Sequence, residues 1–154
     1  MSTAFKLVVA SLLVPLLPAL YFLALGGFGF GIIAYLYALA QVVLLGIPIF
    51  LILRRFSLLN YRNIALAGFV AAWILVIIMD PPIKWATNYS YSASFFGTTY
   101  EQVINGRRTL AGWLIYGYGL LTEGLLGSIC ALAGLWIWNS LNRKSAQPTP
   151  PQTN

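Results

Sequence analysis

The chain reads as an all-α polytopic membrane protein, with four transmembrane helices, both termini cytoplasmic and one larger extracytoplasmic loop. Three observations lead there. Of the 154 residues, 60% are hydrophobic and only 8% are charged, where soluble domains carry about 25% charge. Mean hydropathy is +0.82. The apolar residues also gather into four stretches, and four crossings of about 20 residues each leave no room for a soluble domain of ordinary size. A Rossmann or P-loop nucleotide-binding unit is thereby excluded.

The first stretch covers residues 7–25 and the second 32–53. At 1.5 Å per residue both cross a hydrocarbon core of about 30 Å. The third, 64–79, reaches only about 24 Å. It spans if Arg62 snorkels at one end, Trp85 anchors the other and the bilayer thins locally. The fourth, 110–138, exceeds the core, so it tilts or protrudes. Residues 1–144 thus form one transmembrane domain. The tail that follows, 145–154, is polar and carries Pro148, Pro150 and Pro151, the composition of a disordered cytoplasmic segment.

Lys6 ahead of an apolar run, with Ala24 and Gly26 behind it, is also the pattern of a signal peptide. The apolar core is longer than the 7 to 15 residues usual for one, and no polar region precedes the candidate cut. The expectation is a retained helix. The uncharged turn Gly26-Gly27-Phe28-Gly29-Phe30-Gly31 suits a tight hairpin between two spans, because glycine reaches positive φ without strain. Pro15, Pro18 and Pro48 are tolerated kinks whose freed carbonyls need partners, and Ser11 is one candidate donor.

Lys and Arg near the span ends set orientation. With the N-terminus inside, the inner side holds Lys6, Arg54, Arg55, Arg62, Arg143 and Lys144, and the outer side Lys84, Arg107 and Arg108. Both termini are therefore expected in the cytoplasm. The basic balance, +6, reflects orientation and contact with anionic lipid headgroups rather than nucleic acid. Aromatic belts agree, with Tyr35, Tyr37, Trp85, Trp113, Tyr116 and Tyr118 toward the outer interface and Trp136 and Trp138 toward the inner one.

The outer loop, 80–108, opens with Asp80-Pro81-Pro82, which ends the third helix. Within it Tyr89-Ser90-Tyr91-Ser92-Ala93-Ser94-Phe95 alternates greasy and small polar residues, the period of a strand. It reads either as an interfacial stretch resting its rings on headgroups or as an edge that pairs with an extended segment of a partner. Asn88-Tyr89-Ser90 is in addition a glycosylation sequon.

Catalytic material is scarce. The chain has no His, one Cys and three acids, so a Ser/His/Asp triad, a CxxC pair or a His/Cys metal cluster cannot be assembled. No enzyme activity and no cofactor are expected. Cys130 lies in an apolar run and reads as a packing residue. Glu123 is different. A carboxylate near mid-membrane costs at least about 2.5 kcal/mol unless protonated or paired, so it demands a partner and marks a candidate functional site. Gly112, Tyr116, Gly119, Glu123, Gly127, Ala131 and Gly134 recur at steps of three or four along one face. Small residues so placed let another helix approach closely. That face serves either intramolecular packing or docking of a partner. Gln41, at similar depth on the second helix, is the expected hydrogen-bond partner of Glu123.

The run Gly46-Ile47-Pro48-Ile49-Phe50-Leu51-Ile52-Leu53-Arg54-Arg55, followed by Gly68, resembles small bacterial four-helix inner-membrane proteins over the second and third helices. The resemblance implies a bacterial inner-membrane location and no activity. Small immunity proteins against pore-forming toxins share the format of three or four helices with short loops, an analogy at the level of fold. Two functional classes fit. One is a non-enzymatic adaptor, accessory or immunity-type protein acting by helix and loop contacts with a membrane partner, or with a second copy through the fourth helix. The other is a small transporter or channel subunit using Glu123 as an intramembrane proton or cation site.

Overall fold

The computed structural model describes residues 3–81, 89–95 and 98–143. Lys84, Trp85, Asn88 of the sequon, Lys144 and the tail 145–154 lie outside the described residues. The chain is mostly helical, and four of its helical segments are long and apolar enough to cross a membrane: Thr3–Ala24, Phe28–Arg55, Tyr61–Met79 and Leu110–Asn142.

Proline shapes the first two segments. Helix α1 (Thr3–Leu13) and helix α2 (Leu16–Gly26) are separated at Val14 and Pro15, since Pro15 donates no N–H and its ring clashes with the preceding turn. The Leu12 carbonyl at this break accepts from the Tyr35 hydroxyl of a neighbouring helix at 3.3 Å. Gly27 then reverses the chain in a single residue at φ +82, and α3 (Phe28–Gln41) begins four residues earlier than the sequence led us to expect. Gly31 seats against Leu23 and Ala19 of α2, where a β-carbon would stand 3.1 Å from Leu23 Cβ. After α3 comes a π-helical turn, Val42–Gly46, and then α4 (Ile47–Arg55). In this wide turn Ile47 donates to the Val42 carbonyl five residues back, which absorbs the misfit imposed by Pro48 one residue later.

Helix α5 (Tyr61–Met79) starts three residues ahead of the expected boundary because Asn60 caps it, accepting from the Asn63 amide at 2.8 Å. Helix α6 (Leu110–Arg143) continues past Trp138, its polar end joined to α1 by a hydrogen bond from the buried Lys6 to Asn142 at 2.6 Å. The α5 and α6 helices pack through glycines. A β-carbon on Gly127 would lie 2.5 Å from the Gly68 carbonyl oxygen and 2.8 Å from Ala72 Cβ, and one on Gly124 would meet the Phe69 ring at 2.5 Å. Trp73 Nε1 donates to the Leu120 carbonyl at 2.7 Å and Ser128 to the Ala65 carbonyl at 2.9 Å. Both bonds join the two helices at membrane depth, where no water offers an alternative.

The all-α expectation is corrected by the segment between α5 and α6. It holds a three-stranded antiparallel sheet, β1 (Tyr91–Phe95), β2 (Thr98–Ile104) and β3 (Arg107–Arg108), in the order β1-β2-β3. The β1–β2 register shifts between Tyr91 and Ser92, and β2 turns into β3 through Asn105 and Gly106, both at positive φ. Such an Asn-Gly pair is the strongest short-range hairpin signal. It was legible in the sequence and escaped the strand reading, which stopped at Phe95.

Candidate functional site

The sheet is fastened to the membrane helices at the start of α6. Thr109 caps that helix, accepting from the Gly112 amide at 3.0 Å while its hydroxyl donates to the Glu101 carbonyl at 2.5 Å. Gly112 lies so close under β2 that a β-carbon there would collide with the Gln102 carbonyl oxygen. Arg108 is buried and pairs with Asp80 at 2.8 Å, with its guanidinium 4.1 Å above the Tyr116 ring. The end of α5, the sheet and the beginning of α6 therefore form one connected unit. The outer edge of β1 pairs with no strand among the described residues, and Tyr91, Ser92 and Ser94 are exposed on it.

Within the bundle lies a half-open cavity of about 500 Å³. It is bordered by all four spans and extends along α5 from Ile64 to Asp80, about 24 Å at 1.5 Å per residue. Its walls are mainly apolar. Glu123, Gln41, Tyr37 and Cys130 share it. Gln41 sits midway along the segment Phe28–Arg55. Glu123 falls between Leu120, bonded to Trp73, and Gly127, packed on Gly68, which is the middle of α5. Both groups are thus at mid-span.

The expected hydrogen bond between them is not formed. Glu123 and Gln41 border the same cavity, and neither makes a hydrogen bond among the described residues. Two other polar groups of the fourth helix are satisfied, Thr122 donating back to the Tyr118 and Gly119 carbonyls at 3.0 Å and Ser128 reaching α5, whereas the buried Tyr116 hydroxyl has no hydrogen-bond partner among the described residues. The small-residue face divides by depth. Gly112 and Tyr116 lie under the sheet and Arg108, Gly127 and Ala131 meet α5, Gly134 has Val14 Cγ2 3.4 Å from a β-carbon position, and Gly119 has open space around it. Sequence reasoning missed Arg108, Thr109 and Tyr37 as organising residues. The T-x-x pattern ahead of an apolar helix was the available signal for Thr109. No three of His, Cys, Asp and Glu come together to hold a metal ion among the described residues.

Comparison with protein-family models, curated proteins and solved structures returned no match for this chain. The class defined by fold and site is a multi-pass membrane protein with four apolar spans and a carboxyl-bearing internal cavity.

Proposed function

We propose that the protein is a small non-enzymatic carrier or channel subunit whose intramembrane proton or cation site is Glu123. The observation that supports this reading is the placement of an unbonded carboxyl at mid-span, facing a cavity rather than a neighbouring helix. An ionisable group in that position is costly to maintain for packing alone. The setting is a bacterial inner membrane with both termini in the cytoplasm, in keeping with the resemblance and the cation count. Liposomes containing the reconstituted protein and an internal pH dye test it. Wild-type protein carries a proton or sodium flux above that of empty liposomes, Glu123→Gln abolishes it without lowering thermal stability, and Glu123→Asp retains part. Equal flux in wild type and Glu123→Gln would remove the reading.

A second reading is contact with a protein partner, supported by the edge of β1, which pairs with no strand among the described residues, on a firmly anchored sheet. Strand addition at such an edge supplies main-chain hydrogen bonds to an extended segment. Of the α6 glycines, Gly117 and Gly119 have open space that a partner helix could use, whereas Gly124 and Gly127 are occupied by α5. A photo-crosslinker at Ser92 then gives one discrete adduct in cells, and the same group at the lipid-facing Leu114 gives none. Matching adduct patterns at the two positions would count against partner pairing.

A further inference from the structure

The walls of the cavity also bear on which cation it takes. Among the described residues that line it, Asp80 and Glu123 are the only charged side chains. Asp80 stands at the outer end and is answered by Arg108 at 2.8 Å. Glu123 has no hydrogen bond or ion pair of its own among the described residues. Arg108 pairs with Asp80 and Arg54 is stacked 5.2 Å over the Trp138 ring, both against lining residues, and no Lys or Arg is itself among the described residues that line the cavity. Phe22, Tyr37, Phe50 and Trp138 distribute aromatic surface along its length.

Charge complementarity selects against several occupants. An anionic lipid head would meet an uncompensated carboxylate in a low-dielectric space, where repulsion is poorly screened. A hard divalent cation such as calcium or magnesium needs about six or more oxygen ligands, and the lining is mainly apolar. A large organic cation needs neither. Its charge is diffuse and weakly hydrated, its body is apolar, and aromatic faces attract it through the ring quadrupole. A volume of about 500 Å³ lies within the range of sites for drug-sized ligands, roughly 300 to 1,000 Å³.

We propose that the cavity binds a lipophilic organic cation, of the quaternary ammonium or phosphonium kind, with Glu123 as counter-ion and the aromatic residues as walls. The proposal rests on the reading of Glu123 as an intramembrane cation site and names its ligand class. The full chain in nanodiscs of phosphatidylcholine, equilibrated with labelled tetraphenylphosphonium, tests it. Binding is expected to saturate at one site, to weaken about tenfold or more in Glu123→Gln, the loss of one desolvated charge–cation contact, and to persist in Glu123→Asp. Triphenylphosphine oxide, similar in bulk and uncharged, competes poorly. Ala34→Phe, which fills the cavity from α3 and leaves the carboxyl in place, also reduces binding and keeps the proposal testable if Glu123→Gln does not fold. Non-saturable binding, unchanged affinity in Ala34→Phe or in a folded Glu123→Gln, or equal competition by the neutral analogue would overturn it. If a Glu123-dependent proton or sodium flux is measured without phosphonium binding, the carrier reading survives and the organic-cation proposal fails. If neither is seen, both fail.

Discussion

Two glycines in α6 that share the same sequence pattern face opposite demands. At Gly127 a β-carbon would stand 2.5 Å from the Gly68 carbonyl oxygen, a backbone atom that cannot step aside, whereas at Gly119 there is nothing within 4 Å. Gly127→Leu therefore pries α5 from α6 and strains the Trp73 and Ser128 bonds on either side of it. The expected loss is at least the ~1–3 kcal/mol of ordinary overpacking, read as a fall in the melting temperature of the detergent-solubilised protein. Gly119→Leu should leave that temperature nearly unchanged, and similar destabilisation by both substitutions would contradict the α5–α6 crossing described here. Residue spacing in the sequence placed both glycines on one helical face. It could not rank them, because the neighbour at each turn is set by where α5 crosses and where the sheet lies. The same holds for Glu123 and Gln41. Counting along two helices put them at one depth, and the cavity between them arises only when four spans pack.

At the scale of elements, hydrophobic length was the most legible property, since a span must be apolar for about 20 residues whatever surrounds it. Its ends were less so, because a polar residue such as Asn60 starts a helix as its cap, ahead of the apolar run. The π turn before Pro48 was legible only as a kink. The sheet depended on one dipeptide. Asn105 at φ +48 and Gly106 at φ +76 bring β3 back onto β2, setting Arg108 beside Asp80 and Thr109 at the start of α6. A β-branched residue in the left-handed region costs about 1–2 kcal/mol from backbone sterics alone. Gly106→Val should accordingly loosen the sheet while the helices persist. Amide exchange in β2 is expected to quicken by about tenfold for each 1.4 kcal/mol lost, with the centres of α5 and α6 unaffected. Unaltered protection in β2 would mean that the turn does not hold the sheet.

Orientation belongs to the whole molecule, and the cation count makes it testable in a graded way. With the N-terminus inside, as the cation count predicts, six Lys and Arg fall on the inner side against three outside, and the rule counts those close to the span ends. Their structural roles differ. Arg108 is buried against Asp80 and Tyr116, while at the opposite end of the helices Lys6 is bonded to Asn142 and Arg54 rests on Trp138. Arg55 and Arg62 are exposed in or beside the turn between α4 and α5. With Cys130→Ala as background, Ser92→Cys should react with a membrane-impermeant maleimide added to intact cells, and Ser57→Cys only after the membrane is opened. Replacing Arg54, Arg55 and Arg62 together by Gln leaves three cations on each side, and the bias that selects one insertion mode disappears. That triple variant is expected to insert in both orientations, giving partial labelling at Ser57→Cys and at Ser92→Cys. Full protection of Ser92→Cys in the parent protein would invert the assignment. Unchanged one-sided labelling in the triple variant would show that the asymmetric outer sheet, rather than the cations, holds the molecule in its orientation.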